Sequence, residues 1–266
     1  MTTAPNNTWT SDAIRRGDLE SVKQRIVAES DYLSSRDYLG DTPLITAIGY
    51  DCLPLVEFML DHDADPNVSV EDGYTCLILA VESDSPDSDA IVGLLIEAGA
   101  DIHFAGINGG TPLHMAAMRG KIDKARRLIE SGARVNQRKE IDGSETPLME
   151  AAFMGNADMV RYLLQHGADP GMREVMMDRT PLEIAQAIAA GPDLTVYESL
   201  KSEDFSVDTA EVLADLDLPP EQARMIKDTI DNLDMAENYL ENSQQLIQNG
   251  DHPTVIRILS EWERRS

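Results

Sequence analysis

The chain has 266 residues, 42% of them hydrophobic, enough for one or two domains with a sizeable core, and this excludes a chain that is disordered or fibrous throughout. Lys and Arg number 22 against 48 Asp and Glu, a formal net charge of −26 that repels phosphate and anionic lipid, so direct binding to nucleic acid or membrane is disfavoured. Cys52 and Cys76 have no CxxC or Cys/His ligand spacing around them, which argues against a disulfide framework and a zinc site and fits a reducing cytoplasm.

Residues 1–10 carry no basic stretch followed by an apolar one, and nowhere do about 18 apolar residues run consecutively; a soluble, unprocessed, cytoplasmic protein is expected, with 1–10 as an N-terminal tail. Asn6-Asn7-Thr8 is a glycosylation sequon without a secretory context. From residue 11 the chain is organised by a repeat. One phrase occurs at Asp41–Ile48, Tyr74–Val81, Gly110–Ala117, Glu145–Ala152 and Arg179–Gln186, and its equivalent residues Pro43, Cys76, Pro112, Pro147 and Pro181 are 33, 36, 35 and 34 apart. Each Thr-Pro pair opens a helix: the Thr hydroxyl caps free backbone donors, and Pro at the first helical position lacks only an N–H that would go unpaired. Ala47, Ala80, Ala116, Ala117, Ala151 and Ala152 then let neighbouring helices approach closely.

A second apolar helix follows in each copy, seen at Leu55–Leu60, Ile91–Ile96, Lys124–Ile129 and Met159–Leu164. Gly99, Gly132 and Gly167 suit a left-handed C-terminal cap, with Asp63 standing in for glycine in the first copy. This pattern resembles the ankyrin-repeat family over residues 11–191. The resemblance implies an all-α solenoid of helix pairs with β-hairpin-like fingers, with 12–17 and 19–26 as a degenerate, more polar capping repeat before about five further repeats. Cys76 replaces the helix-opening Pro and 83–89 enlarges the next turn, so the second unit is expected to be locally irregular; only the third keeps the family's His, at His114.

Beyond residue 191 the phrase is lost, and 192–266 reads as a helical C-terminal module. A short helix is expected over Val207–Leu216 and another from Pro219-Pro220, with a stripe of Ile226, Ile230, Leu233, Leu240 and Ile247. A last helix is expected over Thr254–Arg264, with Val255, Ile258, Leu259 and Trp262 on its apolar side. The module is expected to dock on the last repeat rather than to dimerise, and a monomer is expected.

Charge is segregated along the chain. Residues 37–118 hold fifteen Asp or Glu and no Lys or Arg, residues 119–140 hold eight basic residues against three acidic, and 201–266 return to six against fifteen. An acidic block of that length points to a basic partner or to negative steering, with solubility as the plain alternative; the basic stretch has acidic neighbours available to neutralise it. Asp61, Asp63 and Asp65 imitate the opening of a calcium loop, but Pro66 stands where the turn needs Gly and Asp72 replaces the closing Glu, so a repeat turn explains them better. His62, His103, His114, His166 and His252 have no ligand spacing, and nucleophile elbows and phosphate loops are absent, so no catalytic residue, metal or cofactor is expected and the protein reads as a non-enzyme.

The family's variable positions, on the fingers and the exposed part of each first helix, imply a partner-binding row. In the first two full repeats these are Tyr38, Leu39, Asp41, Tyr50, Glu71, Asp72, Tyr74 and Glu82. The row continues with Ile107, Asn108, Met118 and Arg119, then Asp142, Glu145, Phe153 and Met154, and ends with Met176, Met177 and Arg179. Tyr and Arg are frequent hot-spot residues and Met adapts to irregular apolar pockets, although Phe153, Met154, Met176 and Met177 also suit packing between repeats. The expected function is binding of a basic protein through an acidic concave face, as an inhibitor or immunity protein. An acidic nucleic-acid mimic and a host-directed effector or signalling adaptor are the alternatives.

Overall fold

A computed structural model describes residues 9–37, 39–70, 73–106, 109–140, 144–190 and 249–264. Among them the regular structure is helical. An opening pair, α1 (Trp9–Arg15) and α2 (Leu19–Ala28), precedes four complete helix pairs: α3 (Pro43–Gly49) with α4 (Leu53–Leu60), α5 (Cys76–Glu82) with α6 (Ser88–Glu97), α7 (Pro112–Met118) with α8 (Ile122–Glu130), and α9 (Pro147–Phe153) with α10 (Ala157–Gln165). A further first helix, α11 (Pro181–Ala190), and the C-terminal α12 (His252–Glu263) complete the set. The expected helices of 207–247 fall outside the described residues.

The repeated phrase does the capping its chemistry predicts. Thr42, Thr75, Thr146 and Thr180 accept from the backbone N–H of Ile45, Ile78, Met149 and Glu183 at 3.4, 3.2, 3.4 and 3.3 Å. The finger before each first helix is closed by one backbone bond whose acceptor is always the residue before the capping Thr, while the loop it closes lengthens in the last two units: Asp37 N to Asp41 O, Val70 N to Tyr74 O, Gly106 N to Gly110 O, Lys139 N to Glu145 O and Glu174 N to Arg179 O, all between 2.9 and 3.0 Å. Successive units are also sewn together at the turn phrase. The Asn67 side chain donates to Gly99 O and accepts from Asp101 N, and two units further on Asn136 does the same with Gly167 O and Asp169 N.

The core runs continuously along the stack, because Ala47, Ala80, Ala116, Ala117, Ala151 and Ala152 are buried where helices meet and the second helices add Val56, Met59, Val92, Leu95, Leu128, Val160 and Leu163. The irregularity expected of the second unit is confined to its enlarged turn, and one boundary needs correction. The second unit is regular at its first helix: α5 begins at the position its neighbours use, Thr75 still caps it, and the buried Cys76 thiol donates to Val68 O at 3.7 Å. Its enlarged turn is held by serines, with Ser83 Oγ donating to Asp51 Oδ1 at 2.7 Å and Ser88 Oγ to Ser85 O at 2.6 Å. The N-terminal helix starts earlier than residue 11. Thr10 is buried with its hydroxyl 2.5 Å from that of Tyr32, and the Trp9 ring meets Tyr32 edge-on at 6.2 Å, so both residues belong to the opening unit.

At the other end, α12 packs against both α10 and α11 with Val255 and Leu259 buried. Asp251 N donates to Gly155 O at 3.0 Å, and His252 Nε2 lies 2.9 Å from Phe153 O. One unit earlier, the Asn156 side chain makes the equivalent bond to Met118 O at 2.9 Å. The C-terminal helix therefore stands beside α11 as the second helices stand beside their first helices.

Candidate functional site

The acidic block meets the basic stretch across one repeat interface. Arg119 bonds Glu82 at 3.3 Å, Lys121 pairs with Asp84, and Arg127 grips Asp89 through Nε and Nη2 at 2.9 and 2.6 Å. The Arg127 guanidinium holds the Asp89 carboxyl below its ordinary value. Lys124 is buried beside them, its ammonium donating to the carbonyls of Ala80, Val81 and Ser83 at the end of α5. Burial lowers it to about 8, with Lys121 acting in the same direction and Asp51 and Asp89 opposing. Glu82 and Arg119, both expected to contact a partner, thus bond to each other.

The remaining described members of the expected row divide by exposure. Leu39 on the first finger and Tyr50 at the end of α3 are 57% and 44% exposed, and Tyr50 Oη accepts from Arg15 Nε at 3.1 Å. Asp41 is half-buried, and burial raises its pKa, reinforced by Asp37 and opposed by Arg36. Tyr74 and Met118 are half-buried against the core, and Met154 is half-buried where it caps the end of α9. Tyr38, Glu71, Asp72, Ile107, Asn108 and Asp142 lie outside the described residues.

Five expected residues, Glu145, Phe153, Met176, Met177 and Arg179, come together around one groove of about 330 Å³ between the last two fingers. The finger from Glu174 to Arg179 builds one wall. The Glu174 carboxylate accepts from the backbone N–H of Met176, Met177 and Arg179 at 2.6, 2.9 and 3.3 Å, so this acid folds the loop, and the two Met side chains are left 73% and 63% exposed. Phe153, at the end of α9, is 40% exposed.

The groove also takes Met149 and Glu150 from α9, Ile184 and Ile188 from α11, and Lys139 and Glu174 from the fingers, none of which the sequence reading singled out. Lys139 and Glu150 form a nearly buried ion pair. A signal for Glu150 exists in the phrase itself: its column holds Thr46, Leu79, Met115, Glu150 and Ile184, varying while the flanking Leu and Ala columns hold steady. Glu145 presents a buried Oε2 with no hydrogen-bond partner, while its carbonyl accepts from Lys139 N at 3.0 Å and faces His114 Nε2 at 3.1 Å.

That histidine is structural. Thr111 N–H donates to His114 Nδ1 at 3.1 Å, which leaves Nε2–H to donate to Glu145 O, and burial lowers its pKa to about 4. In the Asp61–Asp65 turn, Asp63 has φ +64° and Asp65 accepts from Asn67 N at 2.9 Å, as a repeat turn requires. Among the described residues no group of three or more His, Cys, Asp or Glu is placed to hold a metal ion, and no helix is long and apolar enough to cross a membrane.

The family model described as ankyrin repeats in three copies matches residues 11–105 and 87–174. The chain is similar to the B-cell lymphoma 3 protein homolog of Mus musculus, 33% identical over 116 residues, which are 43% of this chain and 25% of that protein. It is similar to an ankyrin repeat protein of Rickettsia felis, 27% identical over 124 residues, 46% of this chain and 40% of the other. It is also similar to protein PhlB of Serratia liquefaciens, 40% identical over 70 residues, 26% of this chain and 30% of the other. The chain thus spans between a quarter and two-fifths of the length of these relatives.

Proposed function

The chain belongs to the ankyrin-repeat family, and from that premise we propose that it is a non-enzymatic protein–protein interaction module acting in the cytoplasm, which binds a basic protein through its finger and first-helix surface and thereby inhibits it, as an immunity protein does. The observation that carries this reading is the set of exposed apolar side chains in the row: Leu39, Met176 and Met177 stay open to solvent on the fingers, and Tyr50 and Phe153 at the ends of first helices whose other side supplies the core. Apolar anchors inside a charged surround are how protein interfaces concentrate their affinity. A net charge of −26 favours a cationic partner through long-range attraction, even though Glu82, Asp84 and Asp89 are engaged by Arg119, Lys121 and Arg127.

The test immobilises the purified full chain, passes lysate of the native cell over it at low salt, and elutes with rising salt. A basic protein should be retained, released as the Debye length shortens, and lost from a variant carrying Tyr50→Ala, Met176→Ala and Met177→Ala; the purified partner should lose its own activity on adding the chain. Retention of acidic proteins only, or retention indifferent to the triple substitution, defeats the reading.

A further inference from the structure

The groove between the last two fingers combines two chemistries. Met149, Phe153, Met176, Met177 and Ile184 offer apolar walls, and Glu145 Oε2 is a buried acceptor with nothing to accept from. Glu145 itself lines the groove, so a cation entering there meets a carboxylate that no basic side chain among the described residues neutralises through Oε2. The other two acids are engaged: Glu150 pairs with Lys139, and Glu174 takes the amides of its own finger. Three carboxylates against Lys139 and Arg179 leave the groove one negative charge in surplus. At about 330 Å³ it is at the small end of ligand sites, sized for a side chain rather than for a helix. A long methylene stem ending in a cation matches both chemistries at once.

We propose that this groove seats a single lysine or arginine side chain of the partner protein, its stem against Phe153, Met176 and Met177 and its charged head on Glu145. The inference rests on the reading that the partner is basic, and adds which of its groups is gripped and where.

The test uses the full chain labelled with ¹³C at the methionine methyls and three capped peptides, Gly-Gly-X-Gly-Gly with X as arginine, lysine or norleucine. Norleucine has an apolar stem and no charge. The arginine and lysine peptides should shift the methyl signals of Met149, Met176 and Met177 saturably, and norleucine should bind at least about tenfold more weakly. Glu145→Gln should cost the cationic peptides about tenfold and leave norleucine unchanged. Unmoved Met59 and Met159 methyls report that the variant keeps its fold. Should that variant disturb its finger, Met176→Ala with Met177→Ala removes only exposed side chains and should weaken all binding. Equal affinity for norleucine, indifference to Glu145→Gln, or unshifted groove methyls each overturn the inference. If the peptides fail while salt-sensitive capture of a basic protein persists, only the assignment of this groove falls; if the peptides bind and no basic protein is captured, the broader reading falls.

Discussion

His114 shows how a polar residue can be confined to the neutral form by its place in the stack. It is fully buried, accepts from Thr111 N and donates to the Glu145 carbonyl of the next finger. Its pKa falls from 6.5 to about 4, first through burial and then through nearby Lys139, against the pull of backbone bonds at Glu145 and Gln137. Between those two pH values the unfolded chain takes up a proton that the folded one refuses, so the contribution is complete above pH 6.5 and is lost as pH falls towards about 4, up to about 3 kcal/mol. Denaturant titrations of His114→Gln should therefore show lower stability at pH 7 and a shallower acid slope over that window; an unchanged slope would place the proton elsewhere. Asp63 makes a separate point about backbone. It occupies φ +64° where the later units have Gly99, Gly132 and Gly167 at +89°, +101° and +89°. Nothing lies within 4 Å of a Cβ built on Gly99, so only its torsion resists a side chain. Gly99→Ala should cost about 1 kcal/mol, whereas Asp63→Gly should be neutral or stabilising by up to about 1 kcal/mol, both read from urea midpoints at constant m.

The elements differ in how far their neighbours could be foreseen. The first helices were legible because Thr-Pro caps and starts a helix locally, and the Gly and Asn that end and sew the units recur at the same offset. For α12 the sequence led to a helix docked on the last repeat, as found, but not to its register beside α11, since its contact from His252 to Phe153 spans 99 positions and no residue in 252–264 repeats the phrase. What admits it is the absence of side chains: a Cβ on Gly155 would stand 2.6 Å from Gly250 Cα and 2.8 Å from Asp251 N. Backbone cannot yield as a flexible side chain can, and Gly155 also has φ +68°. Gly155→Ala should cost more than about 2 kcal/mol and expose residues 252–264 to fast amide exchange while α3–α8 keep their protection. Protection of α12 equal to that of the parent chain would show that the two backbones do not meet there.

Across the whole molecule, the sequence displayed blocks of opposite sign but not their pairing, because that depends on one helix lying one repeat above another. Asp89 and Arg127 are 38 positions apart and meet only once the units stack. The groove was half legible for the same reason: Glu145, Phe153, Met176, Met177 and Arg179 follow from variable columns, Glu150 stands in a variable column of the phrase that was not singled out, and Lys139 and Ile188 join them only through the spacing of two fingers and two helices. The pairs across the repeat interface engage three of the 22 cations already counted in the net charge of −26, so they leave that surplus whole, and it opposes compaction. Exposed pairs of this kind contribute about 0–1 kcal/mol each and lose part of that in salt, while screening relieves repulsion among all the surplus carboxylates together. Raising sodium chloride from about 0.02 to about 0.5 M, which shortens the Debye length from tens of ångströms to a few, should therefore raise the melting temperature of the free chain by several degrees. The same change should slow its association with a cationic partner. A melting temperature that falls with salt would mean that the interface pairs outweigh the repulsion, and the stack would then be held together by the charges that its acidic composition most obscures.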